Sequence, residues 1–209
     1  MTNIEKKKIL NFLLKQNSSF SFLGLKELDL VKKNKNCRYL DSKEIAFIIL
    51  SFYFEQNLKQ LDSLIPKTQK TKSTTVKIKQ FLQFQLEADL KKKNFLKKSF
   101  LFLVTEKKVS QILDYFFSTS SKMWSLAGDT ATDINYYSKR LILASIYSKI
   151  FIKMLNLSNY SKELIEEDIQ SSLKKVKQFN DFKSKICSTD ILSIIKNFNF
   201  GSKAKGRGF

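Results

Sequence analysis

Glycine and proline are nearly absent from this chain: it has five Gly and one Pro, Pro66, in 209 residues. A turn-rich β architecture needs such residues at every reversal, so their scarcity excludes it. What remains is a set of helices, and apolar residues recur at the three- and four-residue spacing that helices require. Hydrophobic residues make up 43% of the chain, with 19 Phe. At this length about 70% of the unfolded surface can be buried, so a core can form without a disulfide or a metal. The expected fold class is all-α.

Taken in order, residues 2–16 read as an amphipathic helix on Ile4, Ile9, Phe12 and Leu13. A short helix over 20–31 follows, and then a basic stretch, 32–38. Asp41 with Glu44 three residues on has capping-box spacing and should open a helix reaching about Leu64. Residues 66–75 (PKTQKTKSTT) have a linker's composition. Helices are expected over 76–92, 95–104 and 107–118, the last with Val109, Ile112, Leu113, Phe116 and Phe117 inward. A weaker helix covers 161–179, a final short one carries Ile191 to Phe200, and the basic tail 201–209 reads as disordered. The expected organisation is an N-terminal module over 1–64, a C-terminal bundle over 76–200 and the tail.

There is no histidine. Its absence removes the commonest general base, the commonest metal ligand and every Ser-His or Cys-His nucleophile pair. Cys37 and Cys187 lie far apart without C-x-x-C spacing, which fits a reducing compartment and no metal knuckle. The reading is therefore non-enzymatic, with no cofactor and no metal. The net charge of +19 draws the chain to polyanions, nucleic acid or anionic lipid headgroups. Only three of its basic residues are Arg, the principal reader of guanine edges, so no specific nucleic-acid partner is expected. The longest apolar run, residues 45–54, has half the roughly 20 residues of a membrane span. Residues 1–14 lack the apolar core of a targeting peptide. A soluble or peripheral protein is expected.

The most distinctive stretch is residues 122–155, KMWSLAGDTATDINYYSKRLILASIYSKIFIKML. It holds the only Trp, Trp124, followed by Ala127-Gly128-Asp129 and the pair Tyr136-Tyr137. Thr130 and Asp133 have capping-box spacing for a long helix with Ile134, Tyr137, Leu141, Ala144, Ile146, Ile150, Phe151 and Leu155 on its apolar side. Lys139, Lys149 and Lys153 are placed for solvent. Asp129 and Asp133 lack the third carboxylate or His that a metal site needs, so they read as turn and helix start. Trp124, Tyr136 and Tyr137 are open to two readings, as core aromatics or as surface anchors. Consecutive Tyr side chains point about 100° apart, so both cannot face one interior.

Trp124, Ala127-Gly128-Asp129, Thr132-Asp133, Asn135, Tyr137, Lys139-Arg140 and Leu143-Ala144 together resemble the signature of the ubiquinone-biosynthesis accessory lipid-binding proteins, the ninth of the coenzyme Q set. The resemblance implies a TetR-like bundle of about nine to ten helices. It implies a non-enzymatic protein that presents a polyprenylated (isoprenoid) quinone lipid to the diiron demethoxyubiquinone hydroxylase. By position it places Met123, Asp133, Tyr136 and Arg140 on the surface that meets the hydroxylase. It places Phe116, Trp124, Tyr137, Leu141, Ile146 and Ile150 about a lipid cavity, and Ile191, Leu192, Ile194, Ile195 and Phe198 on a membrane-binding helix. That last helix reads equally well as one packed on the domain. By analogy the protein is a homodimer, cytoplasmic and peripheral on the inner membrane, or in the mitochondrial matrix if the source is eukaryotic. The alternative is a TetR-like transcriptional regulator, whose recognition segment would be the Lys-Asn-Lys-Asn of residues 33–36. A third reading is an inert helical scaffold.

Overall fold

The computed structural model describes residues 1–16, 20–64, 73–130, 132 and 134–188. Among these there are eight α-helices, two 3₁₀ turns and no strand. The chain divides into two units, residues 1–169 and a second beginning at Gln170. Of the second, residues 170–188 are described and are helical.

Helix α1 (Asn3–Lys15) starts with a capping box between Thr2 and Glu5. A 3₁₀ turn (Phe22–Glu27), the four-residue α2 (Asp29–Lys32) and a second 3₁₀ turn (Lys35–Cys37) lead to α3 (Ser42–Asp62). The cap expected at Asp41 is present: Asp41 Oδ1 accepts the Glu44 N–H at 2.7 Å, and Glu44 returns the bond to Asp41 N–H at 2.8 Å. The segment 33–36 does not form the recognition helix a regulator would need. The Asn34 side chain accepts the Asn36 N–H at 2.9 Å and closes a three-residue turn, too short to place several side chains in a major groove.

Helices α4 (Thr74–Leu90), α5 (Lys93–Thr105), α6 (Val109–Leu126), α7 (Ile134–Asn156) and α8 (Lys162–Ser188) complete the described chain. The expected linker falls mostly on residues outside the described ones, and the helices on either side of it belong to the same unit. α6 and α7 pack against one another, and α3, α4 and α5 pack on this pair. Aromatic rings fill the centre: Phe100 meets Phe151 at 4.6 Å between centroids, and Phe116 meets Tyr147 at 4.9 Å.

Two sequence expectations are corrected here. α6 does not stop near 118 but runs through Trp124, and its inward face is Ile112, Tyr115, Phe116, Thr119, Ser120 and Met123. Val109 and Leu113 point to solvent. On α7 the buried stripe is Arg140, Leu143, Ile146, Tyr147, Ile150, Phe151 and Met154, while Tyr137 and Leu141 are exposed. In both helices polar residues occupy inward positions: the Tyr115 and Tyr147 hydroxyls share a hydrogen bond, and Arg140 is held by Asp129, Ser121 and Tyr136. A stripe drawn from aliphatic residues alone is therefore rotated off the true interior.

Candidate functional site

The end of α6 is shaped by Gly128. Its φ of +89° lies in the left-handed region, where a side chain is strained. The Gly128 N–H donates to Ser125 O at 3.0 Å, and the Asp129 N–H reaches back to Trp124 O at 3.0 Å. This is the paired bonding of a Schellman stop. It ends α6 and turns Asp129 toward the start of α7.

The Asp129 carboxylate then meets two cations from α7. Lys139 Nζ donates to Oδ1 at 2.8 Å and Arg140 Nη1 to Oδ2 at 3.0 Å. The carboxylate side chain is 5% exposed. The Lys139 bond foremost, and Arg140 after it, hold its carboxyl below the usual range. Arg140 also donates from Nε to Ser121 Oγ at 3.2 Å and from Nη1 to Tyr136 O at 2.9 Å. Its guanidinium lies 3.3 Å from the Tyr136 ring centroid. One planar fork thus ties the last turns of α6, the glycine turn and the first turn of α7, a task that suits Arg and not Lys. The Trp124 indole N–H donates to Lys139 O at 3.1 Å, and the Lys139 ammonium sits 5.4 Å from the centroid of that ring. Lys139 is therefore a partner within this clasp and not a free solvent charge.

Of the residues expected on the docking surface, Met123 is fully buried and Arg140 is 3% exposed, so neither offers its side chain to a partner. Arg140 is inside because Asp129, Ser121 and Tyr136 satisfy it there. Tyr136 is partly exposed and stacks edge-on against Tyr137 at 5.0 Å. Asp133 and its helix cap lie outside the described residues. Of the expected lipid-lining residues, Phe116, Ile146 and Ile150 are buried, and Trp124 is half-buried. Tyr137 is 60% exposed and Leu141 59% exposed, so both leave the interior and continue the outward face from Tyr136. Phe116 is packed among Phe100, Tyr147 and Phe151, and three open grooves are lined by residues other than Phe116, Ile146 and Ile150. The membrane-helix residues Ile191, Leu192, Ile194, Ile195 and Phe198 lie outside the described residues.

The sequence reading missed a second constellation, at the centre of the bundle. Asp89 of α4 has no exposed surface. Its carboxylate accepts the Tyr147 hydroxyl at 2.5 Å and the Gln85 amide N–H at 3.0 Å. The Tyr115 hydroxyl shares a hydrogen bond with that of Tyr147 at 2.9 Å and accepts from Gln85 and Asn57. Burial pushes the Asp89 carboxyl up to about 7, against the lowering effect of Tyr147, Gln85, Lys92 and Tyr115. The signal was in the sequence: Asp89 continues the buried stripe Ile78, Phe81, Leu82, Gln85 and Leu86 at helical spacing. Among the described residues no group of three metal-ligating side chains converges, and no helix is long and apolar enough to cross a membrane.

With this geometry in place, comparison with known proteins is informative. Residues 109–180 match the COQ9 family model. No curated protein and no solved structure matches the chain. The matched stretch contains all of α6, the glycine turn, all of α7 and the first two-thirds of α8. It therefore includes every residue of the Asp129–Lys139–Arg140 clasp. COQ9 is the family whose signature residues 124–144 resemble, and the match covers about a third of the chain.

Proposed function

We propose that this chain is a non-enzymatic lipid-binding accessory protein that presents a polyprenylated quinone intermediate to the diiron hydroxylase of ubiquinone biosynthesis. The observation that carries the reading is the COQ9 match over 109–180, which coincides with the segment the clasp holds together. A polyprenyl tail is nearly insoluble in water, so its headgroup reaches a soluble active site only when apolar protein surface shelters the tail.

The geometry supports a revised division of labour. Tyr136, Tyr137 and Leu141 form the outward docking face for the hydroxylase, with aromatic anchors of the type enriched at interface hot spots. Arg140 and Met123 support that face from beneath. The tail is taken up where α6 and α7 meet, with Phe116, Ile146 and Ile150 parting to become its walls. The protein works as a homodimer, peripheral on the membrane that holds the quinone. Deleting the gene in its native host tests the reading: the demethoxy intermediate should accumulate and ubiquinone should fall. Unchanged ubiquinone in a clean deletion refutes it.

A further inference from the structure

Beside α1 lies an open groove of about 550 Å³, remote in the chain from the clasp. Ile9 and Leu30 line it, with Lys8, Lys33 and Lys35 around them. Glu5 is the one acid lining this groove, and its carboxylate is already committed. It accepts the Thr2 N–H at 2.7 Å and the Asn36 side-chain amide at 2.9 Å. Those bonds, Thr2's foremost, hold the Glu5 carboxyl below its ordinary value. Nearby Lys32 pairs with Glu27 at 2.9 Å, but Lys8, Lys33 and Lys35 have no ion-pair partner among the described residues. Three lysines therefore face one ionised carboxylate, and the groove keeps a net positive charge.

Exposed apolar side chains neighbour these lysines in the chain. Ile4, one turn before Lys8, is 70% exposed; Leu30 is 37% exposed; Tyr39, three residues beyond Asn36, is 91% exposed. Isolated apolar residues on a surface are ordinary, but here each lies within about one helical turn, in sequence, of a lysine that lines the groove. A surface that is anionic outside and apolar just beneath rewards both features at once.

We propose that this face of the N-terminal module binds an anionic phospholipid bilayer. Lys8, Lys33 and Lys35 meet the headgroup phosphates, and Ile4, Leu30 and Tyr39 enter the boundary with the acyl chains. Duplex nucleic acid offers the same phosphates but no apolar layer, and the 3₁₀ turn at Lys35–Cys37 cannot enter its groove. The inference stands on these residues alone and does not depend on the quinone reading.

Flotation of the full chain with phosphatidylcholine vesicles, with or without phosphatidylglycerol, tests it. The wild-type chain should float with the anionic vesicles and not with pure phosphatidylcholine. The triple variant Lys8→Glu, Lys33→Glu, Lys35→Glu should bind the anionic vesicles about a hundredfold more weakly. A control triple at exposed positions elsewhere, Lys91→Glu, Lys97→Glu, Lys175→Glu, changes the net charge equally and should stay within a few-fold of wild type. Tyr39→Ala should weaken binding several-fold with the charge unchanged. Circular dichroism verifies the helix content of each variant, and Lys→Gln versions of both triples repeat the contrast without introduced repulsion. Equal losses in the two triples, no loss in the groove triple, or a groove triple that loses random-sequence duplex DNA while keeping vesicles would each overturn the proposal. An unaffected Tyr39→Ala would overturn the apolar part of it.

Discussion

Replacing Asp89 by Asn should change how the stability of this protein depends on pH, and the size of the change follows from the buried network. The carboxyl is raised from 3.8 to about 7 by burial. Each unit corresponds to about 1.4 kcal/mol, so the ionised form costs the fold about 4 kcal/mol. The direction is set by proton binding. Below the unfolded value both states are protonated, and Asp89 contributes nothing. Between about 4 and 7 the unfolded chain gives up its proton while the folded chain keeps it, so stability falls as pH rises; above about 7 the penalty is constant. Histidine is absent, and the other carboxylates, which titrate in the lower part of this window, do so alike in variant and wild type, so the difference between the two proteins isolates Asp89. Urea unfolding followed by helix circular dichroism supplies the assay. The stability difference between Asp89→Asn and wild type should grow in the variant's favour by about 3 kcal/mol from pH 4.5 to 7.5. Parallel stability profiles for the two proteins would mean that Asp89 ionises as an ordinary exposed carboxylate, and the account of a dry, tyrosine-bonded acid would be wrong.

Arg140→Ala leaves the buried Asp129 carboxylate with Lys139 alone, and should cost about 3 kcal/mol in urea unfolding. Arg140→Lys should recover only part of that loss, because a point charge cannot bridge Ser121, Asp129 and Tyr136 together. Gly128→Ala should cost about 1 kcal/mol from backbone strain alone, since a Cβ there meets no atom within 4 Å. Its thermal midpoint is the readout, and a loss much larger than this would point to a contact the turn does not show. The double variant Tyr137→Ala, Leu141→Ala should weaken hydroxylase binding at least about tenfold while leaving Tm nearly unchanged, because both side chains are exposed. Unaltered affinity by calorimetry would remove this face from the docking surface.

The helical class could be read from the near-absence of Gly and Pro, and the cap at Asp41 from its spacing to Glu44. The signature residues led to the family because they lie together in one short segment. What the sequence did not disclose was which side of each helix faces inward. Arg140 reads as a surface charge until its partners Asp129, Ser121 and Tyr136 are brought around it, and those contacts depend on the glycine turn between two helices. Asp89 and Tyr147, 58 positions apart, pair only through the packing of α4 on α7. Apolar periodicity is blind to polar groups that satisfy one another. It therefore rotated both α6 and α7 and drew Tyr137 and Leu141 onto an inward stripe, whereas both are exposed.

The quinone-carrier reading is tested most directly by asking what the protein carries out of the cell. Organic extraction of protein purified from its native host, followed by mass spectrometry, should recover a polyprenylated quinone precursor in near-stoichiometric amount, and a variant that fills the α6–α7 seam, Ile146→Trp, should lose it. Protein that emerges with no lipid, or only with bulk phospholipid in the proportions of the membrane, would contradict the account.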